Sequence, residues 1–212
     1  MRRYSPLDFF INQADCALRT VLGTPHTTER PNPARDVKDC NLSADEARHA
    51  AGLMRVNHAG EVSAQALYQG QALTARLDRV RANMERAALE ENDHLAWTEQ
   101  RLRELHTHKS TLNPIWYSGS FIMGALAGAI GDKWSLGFVA ETEIQVIRHL
   151  DHHIQQLPSQ DKRSLAILKQ MRVDEAHHAT VALKSGGAPL PWPIKKLMAA
   201  LSKVMTTSAY YL

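Results

Sequence analysis

Six residues of this chain form a repeated metal-ligand pattern: Glu61, Glu91, His94, Glu143, Glu175 and His178. Glu91 with His94, and again Glu175 with His178, read Glu-x-x-His. Residues three apart on a helix lie about 60° apart around its axis, so each carboxylate shares a face with its imidazole. Each pair also follows an isolated Glu. Thirty residues separate Glu61 from Glu91, thirty-two separate Glu143 from Glu175, and the second set repeats the first at offsets of 82 to 84. All four carboxylates fall in the middle of apolar helical faces. A buried, ionised carboxylate without a partner costs on the order of several kcal/mol, and four converging in one core repel one another. Two divalent cations would compensate them. Carboxylate oxygen with imidazole nitrogen suits iron or manganese better than metals that favour thiolate.

Four helices must bring these residues together. Ser43-Ala44-Asp45-Glu46 is a capping box that starts a long helix running to about 77 and carrying Glu61. It also accounts for Glu46-x-x-His49, which fits the ligand spacing but whose Glu caps the helix. A helix over about 79–106 carries Glu91 and His94. One over about 132–157 has the clearest stripe, with Leu136, Val139, Ala140, Glu143, Val146, Ile147, Leu150 and Ile154. One over about 160–184, ended by Gly186-Gly187, carries Glu175 and His178. No stretch alternates with period two, so the expected fold is all-α. A lone Glu on two helices and Glu-x-x-His on two others is the di-iron or di-manganese arrangement of ferritin-like four-helix bundles. Within that register Asp174 and His177 are expected on the solvent side, Glu143 is preferred to Glu141, and His149, His152 and His153 form an exposed polar face.

Three neighbours have more open roles. His58, one turn before Glu61, is a ligand, a partner of one, or a satisfied core histidine. Tyr68, two turns after Glu61, lines a substrate pocket, bonds a ligand, or packs in the core. Arg172 is placed to pair with a ligand carboxylate from outside.

With 212 residues, 44% hydrophobic and 22% charged, the chain suits one globular domain with a sizeable core. A formal charge of +3 does not argue for nucleic acid, but it suits an anionic membrane surface. Cys16 and Cys40, without C-x-x-C spacing, indicate a reduced, cytoplasmic setting with no disulfide or zinc framework. The first residues lead into no apolar run long enough for a secretory signal. A mildly amphipathic stretch over 6–22 and a proline-bearing linker over 24–40 make 1–42 an N-terminal segment before a bundle over 43–212. Residues 115–130 are uncharged for sixteen positions, short of the roughly 20 that a spanning helix needs. Trp116, Tyr117, Lys133 and Trp134 flank them like interfacial anchors, and Gly124 with Gly128 offers a close-packing face; a buried core helix is the alternative. From Pro193 onward an amphipathic helix with Lys195, Lys196 and Lys203 suits a bilayer surface. The expected architecture is therefore a ferritin-like bundle with an additional apolar helix (about 114–131) and a C-terminal amphipathic helix (about 193–212).

The stretches Arg55-Val56-Asn57-His58-Ala59-Gly60-Glu61, Glu91-Asn92-Asp93-His94-Leu95, Glu143 and Asp174-Glu175-Ala176-His177-His178 resemble the demethoxyubiquinone hydroxylase family, di-iron monooxygenases of ubiquinone biosynthesis. The resemblance covers about 48–212. It implies two iron ions per chain held by Glu61, Glu91, His94, Glu143, Glu175 and His178, with Glu91 and Glu175 bridging. It further implies hydroxylation of a polyprenylated methoxy-methyl-benzoquinol with dioxygen, and electrons from NADH or another external reductant. It also implies peripheral association with the cytoplasmic face of a bacterial inner membrane and contact with other ubiquinone-biosynthesis proteins. Asn57 stands where some members have Asp. An all-α chain offers no strand to precede a Gly-x-Gly-x-x-Gly turn, so no dinucleotide fold is expected. A ferritin-like iron-storage or ferroxidase protein shares the ligand set and is the alternative reading; a metal-free helical adaptor and a tRNA hydroxylase of the same fold are more remote ones.

Overall fold

In a computed structural model that describes residues 6–23, 26–28, 30–38 and 40–212, the chain forms seven helices and, among the described residues, no strand. They are α1 (Pro6–Val21), α2 (Ala44–Thr74), α3 (Asp78–Glu104), α4 (Asn113–Ile130), α5 (Asp132–Gln156), α6 (Lys162–Lys184) and α7 (Trp192–Tyr211). Residues 1–5 and Pro25, part of the N-terminal readings above, lie outside the described residues. The hairpins α2–α3 and α5–α6 make the four-helix bundle, and α4 and α7 pack on its outside against α2. The all-α bundle expected from the sequence is the fold observed.

The starts and stops follow local chemistry. Ser43 caps α2 through its hydroxyl, and Glu46 returns its carboxylate to the Ser43 N–H at 2.9 Å. The α2–α3 turn falls before 77 because Asp132, at the start of α5, accepts the N–H groups of Arg76 and Leu77 at 3.0 and 2.9 Å. Asp161 caps α6, accepting the Ser164 N–H at 3.0 Å while pairing with buried Arg101 at 2.9 Å. Because α3, α4, α5 and α7 surround it, α2 is buried almost all round from Ala50 to Gln71. This explains why it lacks a one-sided apolar stripe.

Helix α4 has two unlike faces. Its glycine face packs on α2: a Cβ on Gly124 would collide with the Leu67 carbonyl oxygen, and one on Gly128 with the Thr74 hydroxyl. Its other face leaves Ile115, Ile122, Leu126 and Ile130 exposed. Helix α7 likewise exposes Trp192, Ile194, Leu197, Leu201 and Val204, while Arg55 holds its end by donating to the Tyr210 carbonyl at 2.8 Å. No described helix is long and apolar enough to cross a membrane.

The described part of 24–40, read from its prolines as a linker, is held against the bundle. It packs along α3 and α6: Asn92 donates to the His26 carbonyl at 2.9 Å, Asn32 to Gln100 at 2.9 Å, and Arg163 to the Val37 carbonyl at 2.7 Å. Ala34 is buried in the core cluster of Trp97, Leu102 and Leu150.

Candidate metal centre

The bundle brings all six expected residues to its middle, one from α2, two from α3, one from α5 and two from α6, and every one is buried. Their donor atoms form two groups: Glu61, Glu91, His94 and Glu175, and Glu91, Glu143, Glu175 and His178, within 4.8 Å of one another in each. Glu91 and Glu175 belong to both. His58 belongs to neither.

The distances fit a cation better than a hydrogen-bond network. His94 Nδ1 lies 3.2 Å from Glu61 Oε2, 3.3 Å from Glu91 Oε2 and 3.2 Å from Glu175 Oε1. One ring nitrogen cannot donate to three oxygens. His178 Nδ1 repeats this at 3.2 Å from Glu91 Oε1 and 3.1 Å from Glu175 Oε2. Donors about 3 Å apart are what an octahedral ion with bonds of about 2.1 Å requires. Both Glu91 oxygens, Glu143 Oε2 and Glu175 Oε1 are buried without a hydrogen bond, although imidazole nitrogens stand close, because the atoms face a common point rather than each other. Charge points the same way. Burial, then repulsion from Glu91, pushes the Glu61 carboxyl well above the usual carboxylate range; burial, then Glu175 and Glu91, does the same to Glu143. Burial works against charging either imidazole, yet the surrounding carboxylates raise both His94 and His178. The donor set demands positive charge, and oxygen with imidazole nitrogen fits iron or manganese.

The outer nitrogens are held as metal-binding imidazoles are. His94 Nε2 bonds Asp174 Oδ2 at 2.9 Å, and His178 Nε2 bonds Glu90 Oε2 at 2.7 Å. The acid that precedes each ligand Glu thus serves the imidazole of the opposite pair. This corrects the expectation for Asp174, which is half-buried against His94 instead of facing solvent; His177 is exposed as expected. Sequence reasoning missed Glu90 and Asp174 as a pair. The available signal was an acid directly before Glu in both motifs.

The remaining candidates sort clearly. Tyr68 donates its hydroxyl to Glu143 Oε1, leaving Oε2 for the centre, and it borders a small cleft rather than the large cavity described below. His58 is fully buried, pushed down to about 3 by burial, and lies 3.5 Å from the Asn113 amide nitrogen, as a satisfied core histidine does. Arg172 does not reach the ligands: it is exposed and pairs with Asp151 across the α5–α6 surface. Of the three histidines on α5 only His152 is exposed. His153 is buried and bonds Asn57 Oδ1 at 2.9 Å, and half-buried His149 bonds Ser202 at 3.1 Å. Glu141 pairs with Lys195 at 2.8 Å, outside the centre, and Cys16 and Cys40 are not joined in a disulfide.

A cavity of about 420 Å³ opens between α2, α4, α5 and α7, with Glu61 in its wall. Val56, Leu67, Met123, Phe138, Met198 and Leu201 make it apolar; Asn57, Thr142 and His149 are among its few polar groups.

Residues 48–209 match the family model described as ubiquinone biosynthesis protein COQ7. The chain is 60% identical over 211 residues to a 3-demethoxyubiquinol 3-hydroxylase of Nitrosococcus oceani, covering 100% of this chain and 99% of that protein. It is 58% identical over 212 residues to one of Acinetobacter baumannii, with both chains covered completely. It is 59% identical over 209 residues to one of Azotobacter vinelandii, covering 99% and 97%. The chain belongs to the COQ7 family of ubiquinone biosynthesis proteins.

Proposed function

We propose that this chain is a monooxygenase that hydroxylates the ring of a demethoxyubiquinol in ubiquinone biosynthesis, using two iron ions held by Glu61, Glu91, His94, Glu143, Glu175 and His178. The observation that carries this reading is the double donor group with Glu61 in the wall of a deep apolar cavity. When bound, the metal pair supplies activation of dioxygen, one atom entering a ring C–H bond and the other leaving as water, with two electrons and two protons from an external reductant such as NADH. The protein's share is placement. Asp174 and Glu90 hold the imidazoles so that Nδ1 of each faces the shared carboxylates. Tyr68 holds Glu143. The apolar wall excludes water and takes the ring, and an elongated prenyl tail leaves through the mouth between α4 and α7. An iron-storage role has no use for such a cavity, and the relatives' activity does not favour it.

The mouth is bordered by outward apolar residues of α4 and α7, among them Ile115, Leu201 and Val204, and elsewhere on α7 Lys196 lies over the exposed Trp192 ring at 5.6 Å. A lipid-soluble quinol reaches such a mouth from a bilayer, so the enzyme sits peripherally on the cytoplasmic face of a bacterial inner membrane, where other ubiquinone-biosynthesis proteins can meet it. Metal analysis with turnover of a short-chain demethoxyubiquinol tests the reaction: about two irons per chain and a hydroxylated product are expected, and a metal-loaded protein that leaves the quinol unchanged refutes it. Co-sedimentation with anionic vesicles tests the membrane reading. The triple variant Ile122→Gln, Leu126→Gln, Leu197→Gln should bind them less, and unchanged binding refutes it.

A further inference from the structure

Asp174 and Glu90 do matching work on the two imidazoles but are themselves held in different ways. Apart from His178, the Glu90 carboxylate pairs with Arg86 at 3.2 Å, whose side chain is 82% exposed, while Arg30 reaches only the Glu90 backbone carbonyl, at 3.5 Å; a pair with so exposed a partner is screened and contributes little. Asp174 Oδ2 accepts from His94 Nε2 at 2.9 Å and from Arg30 Nη1 at 2.8 Å, while Gln170 donates to its other oxygen at 2.9 Å. The same Arg30 donates Nε at 2.6 Å to Asp93, a fully buried carboxylate on α3, and its guanidinium lies 5.1 Å above the Trp97 ring. Thr28 completes the grip on Asp93 with its backbone N–H at 2.7 Å and its hydroxyl at 2.6 Å. One planar fork thus joins an acid of α3 to an acid of α6. Lost, it would leave buried Asp93 and half-buried Asp174, the partner of His94, without the cation they share.

We propose that Arg30 is a positioning residue of the metal centre: it locks Asp174, and through Asp174 the His94 imidazole, in the orientation that aims Nδ1 at Glu61, Glu91 and Glu175. The inference rests on the dinuclear reading above. It gives the segment before α2, which lies outside the matched family region, a part in holding the cofactor. The direct partner of a ligand, here Asp174, is worth roughly 10- to 100-fold in metal affinity, which bounds the effect of Arg30 from above.

The test is Mn(II) titration of the metal-depleted full-length protein, followed by EPR of the free and the exchange-coupled ion. In Arg30→Ala one of the two binding steps should weaken by roughly tenfold, less than when Asp174 itself is removed, with the coupled signal lost at concentrations where the native protein shows it. Arg30→Lys should recover part of the loss. Thr28→Val removes the hydroxyl that donates to Asp93 and accepts from the Arg30 backbone N–H, and leaves the guanidinium paired with both acids, so it should lower the thermal midpoint without moving either binding step. Identical isotherms for Arg30→Ala and the native chain overturn the inference and leave the dinuclear reading standing. Affinity that falls in step with the thermal midpoint in both variants overturns it too, making the segment a general brace. A native chain that binds fewer than two ions overturns the dinuclear reading as well.

Discussion

The His94 end and the His178 end of the centre carry the same donors in different surroundings. At the His94 end the outer acid is braced by Arg30 and the neighbouring ligand, Glu61, borders the 420 Å³ apolar cavity. At the His178 end the outer acid is braced by an exposed arginine and borders a cleft of about 130 Å³ lined by Asn83, Arg86, Glu90 and His177. A sequence repeat has therefore produced two chemically inequivalent positions. One borders the large apolar cavity and is braced from behind by Arg30; the other lies against a small cleft of mixed polar and aliphatic lining, with an exposed arginine behind it.

The largest effect should ignore this inequality. Glu91 and Glu175 belong to both donor groups, so Glu175→Ala should reduce bound iron to well below one ion per chain and lower turnover by more than about a hundredfold. Glu61→Ala and Glu143→Ala should each lose one ion only. If metal analysis finds Glu175→Ala still holding two, the sharing is wrong. Next in size, the outer acids should separate the ends: Asp174→Ala should weaken metal binding by near 100-fold and Glu90→Ala by nearer tenfold, since Glu90 already has the weaker brace. A timed chelator challenge should strip the His178-side ion first. Equal loss from both ends would erase the distinction.

The cluster of six donors was readable because it is written in helical spacing: Glu-x-x-His repeated at one offset on faces whose apolar residues mark the inside. The bundle was readable for the same reason, and the Ser43 box and Asp161 show how local chemistry sets its boundaries. What was not readable depends on partners distant in sequence. Asp174 is polar and adjacent to an exposed residue, so its inward role appears only when α3 lies beside it. Arg30 sits 63 residues before Asp93 and 144 before Asp174, in a segment whose prolines carry no periodicity. His153 looked like surface because α5 was assumed to have one buried face, whereas α2 and α7 cover a second.

Smaller effects probe each end separately. Tyr68→Phe leaves Glu143 Oε1 without its donor in a buried site, at about 1–3 kcal/mol in the metal-depleted protein, and thermal unfolding of that form measures it. Asn83→Leu, which fills the small cleft, should leave turnover unchanged; a loss would mean that substrate enters from the His178 end.

Gly60 offers the finest test of the cavity side. It lines the cavity one residue before Glu61, and a Cβ built there meets nothing within 4 Å, so a side chain can start from this position toward the space claimed for the substrate. Gly60→Leu should keep both ions, as Mn(II) titration would show, yet raise the KM for the quinol roughly tenfold by occupying that space. Gly60→Ala adds a single methyl and replaces a helix-interior glycine, which stabilises by up to about 1 kcal/mol. Its thermal midpoint should therefore rise while turnover barely moves. If Gly60→Leu instead leaves KM untouched at full metal content, the ring does not lie against Glu61, and the difference between the two ends reduces to one of bracing.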